Sequence, residues 1–145
     1  MDGLDTLLAD FNRLKENCRK LEGQKIVVGI VGGAGSDVLK IAHAHEYGVP
    51  GKLPERSFIR ASFDADKAKL GAIVDEQVSK VLAGQKSAEA AANAIGAQAA
   101  QMAQSFIDEN RVTPPSDFKR KQIHTTLYET GTHIRDRISW EVEKK

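Results

Sequence analysis

Several short stretches of this chain carry the residue types from which sites are built. Gly29-Ile30-Val31-Gly32-Gly33-Ala34-Gly35-Ser36 follows a β-branched run and precedes a helical pattern, which is where backbone N–H groups at a helix start can hold a phosphate. The spacing matches neither G-x-G-x-x-G nor G-x-x-x-x-G-K-[ST], and no repeating strand and helix units follow to build a doubly wound sheet. A glycine loop without a nucleotide is the expectation. His43 and His45, beside Glu46, suggest a metal; two residues apart on a helix is about 200° around its axis, so the imidazoles point to opposite sides and cannot share one ion. His124 and His133 lie far along the chain, and nothing in their spacing joins them to the first pair. Cys18 is the only cysteine, so no intrachain disulfide forms, and with Leu14 and Leu21 on the same helix face it reads as a small packing residue. No G-x-S-x-G occurs. The sequence therefore gives no reason to expect a catalytic residue, a cofactor or a metal. Lys119, Arg120 and Lys121, with Arg111 upstream, form a basic run suited to phosphate or to an acidic protein surface.

Composition narrows the class. The 145 residues are 41% hydrophobic and 28% charged, the balance of an ordinary globular domain, with 6% aromatic. A net charge of +1 supplies no overall field for nucleic acid or an anionic membrane. The last quarter, 111–145, is nevertheless locally basic, with eight basic side chains against five acidic. Neither a signal-peptide pattern nor an apolar run of membrane-spanning length is present, so synthesis in the cytosol and no membrane contact are expected.

The elements that must position these residues follow from periodicity. Leu4, Leu7, Leu8, Phe11, Leu14 and Leu21 predict an amphipathic N-terminal helix over 1–23, with Asp2 as its cap and Gly23 as its stop. Residues 25–31 have strand composition. A second helix is expected from a Ser36 cap to Tyr47, closed by Gly48, and a Pro/Gly-rich loop follows over 48–54. Leu70, Ile73, Val74, Val78, Val81 and Leu82 mark one face of a helix over 64–82. Ser87 can cap a further helix reaching about 110, whose stripe of Ala88, Ala91, Ala92, Ile95, Ala99, Met102 and Phe106 is small enough for close packing in an antiparallel hairpin. From about Arg137, alternation of Ile138, Trp140 and Val142 with polar residues predicts a strand. The result is a single α+β domain over 1–145: a small sheet of sequence-distant strands on a long helical hairpin, with an N-terminal helix.

The most distinctive segment is His45-Glu46-Tyr47-Gly48 followed by Leu53-Pro54-Glu55-Arg56-Ser57-Phe58-Ile59-Arg60. Together with Ile41-Ala42 it resembles the signature of the neck or tail-completion proteins of long-tailed double-stranded DNA phages, often labelled virion morphogenesis or minor tail proteins. Ser57 stands where that pattern usually has proline. Gly96 within a later helix, Pro114-Pro115, the basic run, and Leu127-Tyr128-Glu129-Thr130-Gly131 ahead of Ile138-Ser139 follow the family's order. The resemblance spans 25–143. It implies a non-enzymatic structural protein of the virion neck or tail, present in the host cytoplasm during assembly. The implied partners are connector or tail-terminator subunits, a homo-oligomeric ring, and at most a weak contact with packaged DNA.

The same segment has a physical reading. Pro50 and Pro54 stiffen the loop, and Phe58 between Arg56 and Arg60 has the make-up of an interface anchor. Glu46, Tyr47, Pro54, Arg56, Phe58 and Arg60 are therefore the expected protein-contact residues, with Lys119, Arg120 and Lys121 facing DNA or an acidic partner. The loops 48–60 and 32–35 are expected to order on docking. The competing reading of Phe58 is that it starts the core of the next helix. Rival functions are a small nucleotide- or metal-binding domain or enzyme built on the Gly29 to Ser36 loop, and a DNA-binding factor using the basic C-terminal region.

Overall fold

A computed structural model of the chain describes residues 2–30, 36–52, 54–109, 111–112 and 134–145. In order these form α1 (Gly3–Glu22), β1 (Gln24–Ile30), α2 (Ser36–Tyr47), α3 (Arg60–Ala65), α4 (Lys67–Leu82), α5 (Ala88–Asp108), a single helical turn α6 (Ile134–Arg137) and β2 (Ile138–Lys144). The fold is α+β, as the periodicities predict.

Local chemistry accounts for the boundaries. The Asp2 carboxylate accepts the Asp5 N–H at 2.9 Å, and Ser87 Oγ accepts that of Ala90 at 3.1 Å, so these two of the three expected caps each satisfy a free helix N–H. Gly48 closes α2 with φ +74°, a left-handed conformation that costs a side-chain-bearing residue about 1–2 kcal/mol. The helix predicted over 64–82 starts earlier and is broken at Asp66, whose φ of −112° interrupts the spiral between α3 and α4. The Arg111 guanidinium grips the Asp66 carboxylate there with two hydrogen bonds of 2.9 and 3.2 Å.

Strands β1 and β2 pair antiparallel from Gln24 opposite Lys144 to Ile30 opposite Ile138. A two-stranded ribbon is marginal alone. This one lies on α5, which also packs against α3, α4 and α1 and is the central element among those described. The predicted α5 stripe is buried at every position, and Gly96, Ala100, Ala103 and Ile107 are buried with it. Gly96 is where β2 approaches closest: a Cβ there would sit 2.5 Å from Cδ1 of Trp140. Only a glycine lets the indole rest on the helix backbone, and its N–H donates to Asn93 Oδ1 at 3.1 Å. The main core gathers Val38, Ala42, Phe58, Ala100, Ala103, Ile107, Ile134 and Ile138.

α1 departs from its expected packing. It buries no residue of its own, and Cys18 is exposed instead of packed. Its attachment lies near its C-terminal end, where Leu21 packs on Val81, Ala88 and Ala91 and Asn17 Nδ2 donates to the Val81 carbonyl at 3.2 Å. The leucines further towards its N-terminus, Leu4, Leu7, Leu8 and Leu14, are exposed, with little cover from the other described residues.

Candidate functional site

The distinctive segment folds around one carboxylate. Glu46 sits in the last turn of α2, and its side chain reaches across to the chain entering α3. Its Oε2 accepts the backbone N–H groups of Phe58 at 2.9 Å and Ile59 at 3.0 Å. Its Oε1 accepts the N–H of Arg60 at 2.9 Å, the Arg60 Nε–H at 3.0 Å and the Ser57 hydroxyl at 2.7 Å. Three successive backbone donors at the start of α3 are thereby satisfied from another element, because Ile59, at the cap position, supplies no side-chain acceptor. Ser57 Oγ in turn accepts the Ala61 N–H at 3.0 Å. Burial pushes the Glu46 carboxyl upward, but the N–H groups of Ile59, Arg60 and Phe58 and the Ser57 hydroxyl outweigh it and hold the group below its ordinary value.

The second shared feature is a buried pair of basic residues. Arg56 N–H donates to the His45 carbonyl at 2.8 Å, tying the loop to the end of α2. Burial, and then the Arg56 charge, lower the His45 imidazole below its ordinary value.

These contacts correct part of the expected interface. Phe58 is wholly buried in the main core and Arg56 is 2% exposed, so neither presents a surface to a neighbour. The reading of Phe58 as the start of a core is the one the packing bears out. The second half of the 48–60 loop is hydrogen-bonded to Glu46 within the chain. Glu46 itself is buried and acts as the hub of the loop.

What remains outside is a different cluster. Tyr47 is 55% exposed, the Arg60 guanidinium lies 4.4 Å above its ring centroid, and the ring of His43 packs at 4.7 Å on the same residue. Arg60 is fixed by Glu46, by the Glu46 carbonyl at 2.6 Å and by Glu55 Oε1 at 2.6 Å. Beside this stack runs a cleft of about 500 Å³ bordered by Tyr47, Val49, Pro50, Lys52, Pro54 and Glu55. Tyr47, Pro54 and Arg60 thus share one surface, while Arg56 and Phe58 lie beneath it. A rigid, half-exposed aromatic carrying a held arginine is suited to binding protein.

His43 is exposed and His45 buried, on opposite sides of α2 as their spacing requires. No group of three or more metal-ligating side chains occurs among the described residues. Gly32 to Gly35, His124, His133, the Leu127 to Gly131 motif and the basic run Lys119, Arg120 and Lys121 lie outside the described residues. The role of Glu46 as a hub was open to reasoning from sequence, because an acidic side chain in the last turn of a helix opposes the helix dipole and points to a partner elsewhere. Comparison with protein-family models, curated proteins and solved structures finds no match for this chain. No helix among the described residues is long and apolar enough to cross a membrane.

Proposed function

We propose that this chain is a structural protein of a phage virion, acting without catalysis at the head–tail junction, where it completes the tail or joins it to the head through protein contacts. The observation that carries the reading is the connected Glu46 unit. The residues that give the sequence its resemblance to neck proteins, Glu46, Tyr47, Gly48, Pro54, Arg56, Phe58 and Arg60, form one physical device instead of separate coincidences of spelling. Glu46 and Arg56 hold the loop, Phe58 roots it in the core, and Tyr47 and Arg60 stand on its outer face.

In this reading the Tyr47–Arg60 surface, with the Pro50 and Pro54 cleft beside it, meets a connector or tail-terminator subunit, in a ring of copies of this chain. The basic run at Lys119, Arg120 and Lys121 faces packaged DNA or an acidic neighbour. The protein passes through the host cytoplasm before it enters the particle.

The test is genetic and visual. Deleting the gene from its phage should yield filled heads and separate tails under the electron microscope, and wild-type protein should restore joined particles. Tyr47→Ala leaves the Glu46 hydrogen bonds untouched, so it should stay folded yet lower the yield of joined particles at least tenfold. Joined, infective particles from the deletion strain would refute the reading, and normal yields with Tyr47→Ala would remove this surface from it.

A further inference from the structure

The exposed face of α1 carries a repeat that the other described residues leave largely uncovered. Leu4, Leu7, Phe11, Leu14, Cys18 and Leu21 are spaced alternately three and four apart, the two core positions of three consecutive heptads, with Leu8 flanking them. Leu21, at the end of this seam, is covered by α4 and α5. The rest is open: Leu4 and Leu7 are each 65% exposed, Phe11 62%, Leu8 52% and Leu14 41%. These five side chains present on the order of 500 Å² of apolar surface, near the top of what a monomer ordinarily shows.

We propose that this face is where a second copy of the chain docks, α1 against α1, antiparallel about a two-fold axis near Leu7, Leu8 and Phe11. Direction follows from where α1 is attached. A parallel second helix lying on Leu4 to Leu14 would run on into α4 and α5, which already hold Asn17 and Leu21. In the antiparallel sense Leu4 comes opposite Leu14 of the other copy and Leu7 opposite its Phe11, so the seam closes before either body is reached.

Charge favours the same direction. The first half of α1 and its cap carry Asp2, Asp5 and Asp10, and the second half carries Arg13, Lys15, Arg19 and Lys20 against Glu16 and Glu22. With Leu4 opposite Leu14, Asp5 of each helix comes level with Arg13 of the other and Asp2 with Glu16, whereas a parallel pair in register would set every charge level with its own like. The two Asp10 side chains near the axis are each already paired with Arg13 of their own chain at 2.8 Å. Two such faces remove about 1,000 Å² from water, the lower edge of a specific interface, so the pair is weak and depends on concentration. It is isologous and closes at two copies, unlike a head-to-tail ring. It needs no virion, so it stands or falls apart from the proposed function.

Sedimentation equilibrium of the full chain through the micromolar range tests the inference. The expected result is a monomer–dimer equilibrium that Leu7→Glu and Phe11→Lys each shift to monomer, with unchanged helix content by circular dichroism because both side chains are exposed. A monomer at every concentration, a dimer insensitive to both variants, or growth beyond two copies would overturn it. Direction is read by mixing two chains in a Cys18→Ser background, one Leu4→Cys and the other Leu14→Cys, under mild oxidation. The mixed disulfide should dominate, and Leu4→Cys chains linking chiefly to themselves would refute the antiparallel arrangement.

Discussion

Replacing Glu46 with glutamine exchanges one acceptor oxygen for a donor and should loosen the whole entry into α3. Both carboxylate oxygens are committed, Oε1 to Ser57 and twice to Arg60, and Oε2 to Phe58 and Ile59. Whichever way the amide is turned, its NH2 faces N–H groups. The less damaging choice sets it against Phe58 and Ile59, leaving one buried and one half-buried backbone donor without an acceptor. An unmet buried donor costs about 1–3 kcal/mol, so the variant should lose about 2–4 kcal/mol. With a urea slope of about 2 kcal/mol per molar, the midpoint should fall by about 1–2 M at neutral pH.

The sign of the pH dependence sharpens the test. Glu46 is held below its ordinary 4.5 in the folded chain, so its contribution is complete above that pH and is lost as the pH falls through the folded value. The gap between wild type and Glu46→Gln should therefore be wide at pH 7 and narrow below pH 4.5. A midpoint shift smaller than about 0.3 M with an unchanged slope, or a gap constant down to acid pH, would show that the carboxylate is not the acceptor for these donors.

Phe58→Ala empties the centre of the main core and should cost about 3–5 kcal/mol, seen as a lower urea midpoint of the isolated chain, where a purely interfacial residue would leave the midpoint unchanged. Gly96→Ala forces a Cβ to 2.5 Å from Trp140, so it should cost about 1–3 kcal/mol and shift the fluorescence of the single tryptophan; unchanged emission and stability would mean that β2 does not rest on α5 there. The His45 imidazole is held below its ordinary 6.5, so its contribution is complete above pH 6.5 and falls away as the pH drops below it. The thermal midpoint of the wild type should decline between pH 7 and pH 5, and that part of the decline should be absent in His45→Asn.

The elements were largely legible because their signals are local. Asp2, Ser87 and Gly48 cap or close helices through neighbours a few residues away, and the α5 stripe is a repeat along one helix. The break at Asp66 was not legible, because it coincides with a grip by Arg111, distant in sequence and visible only once the chain is folded. The Gly96 and Trp140 contact is of the same kind: each residue looks ordinary alone, and their meaning lies in the 2.5 Å that a methyl group would have to occupy. α1 was legible as an amphipathic helix, but an apolar stripe does not say whether its cover comes from its own chain.

Arg56 and Phe58 lie inward, against what their composition suggests, for a physical reason with wider use. An arginine and an aromatic in a proline-bearing loop have the composition of a hot spot, but composition does not fix which side of the loop faces water. That is decided by Glu46, whose grip on three successive N–H groups sets the phase of the chain from Ser57 onward. Phe58 then falls inward, while Arg60 turns out over Tyr47. The hub and the contact surface are thus coupled: a change at Glu46 should disturb Arg60 and Tyr47 through the loop, whereas Tyr47→Ala should spare the hub. If Glu46→Gln and Tyr47→Ala reduced particle joining equally, but only the first lowered the urea midpoint, the inner residues would be separated from the outer ones as positioning and contact groups.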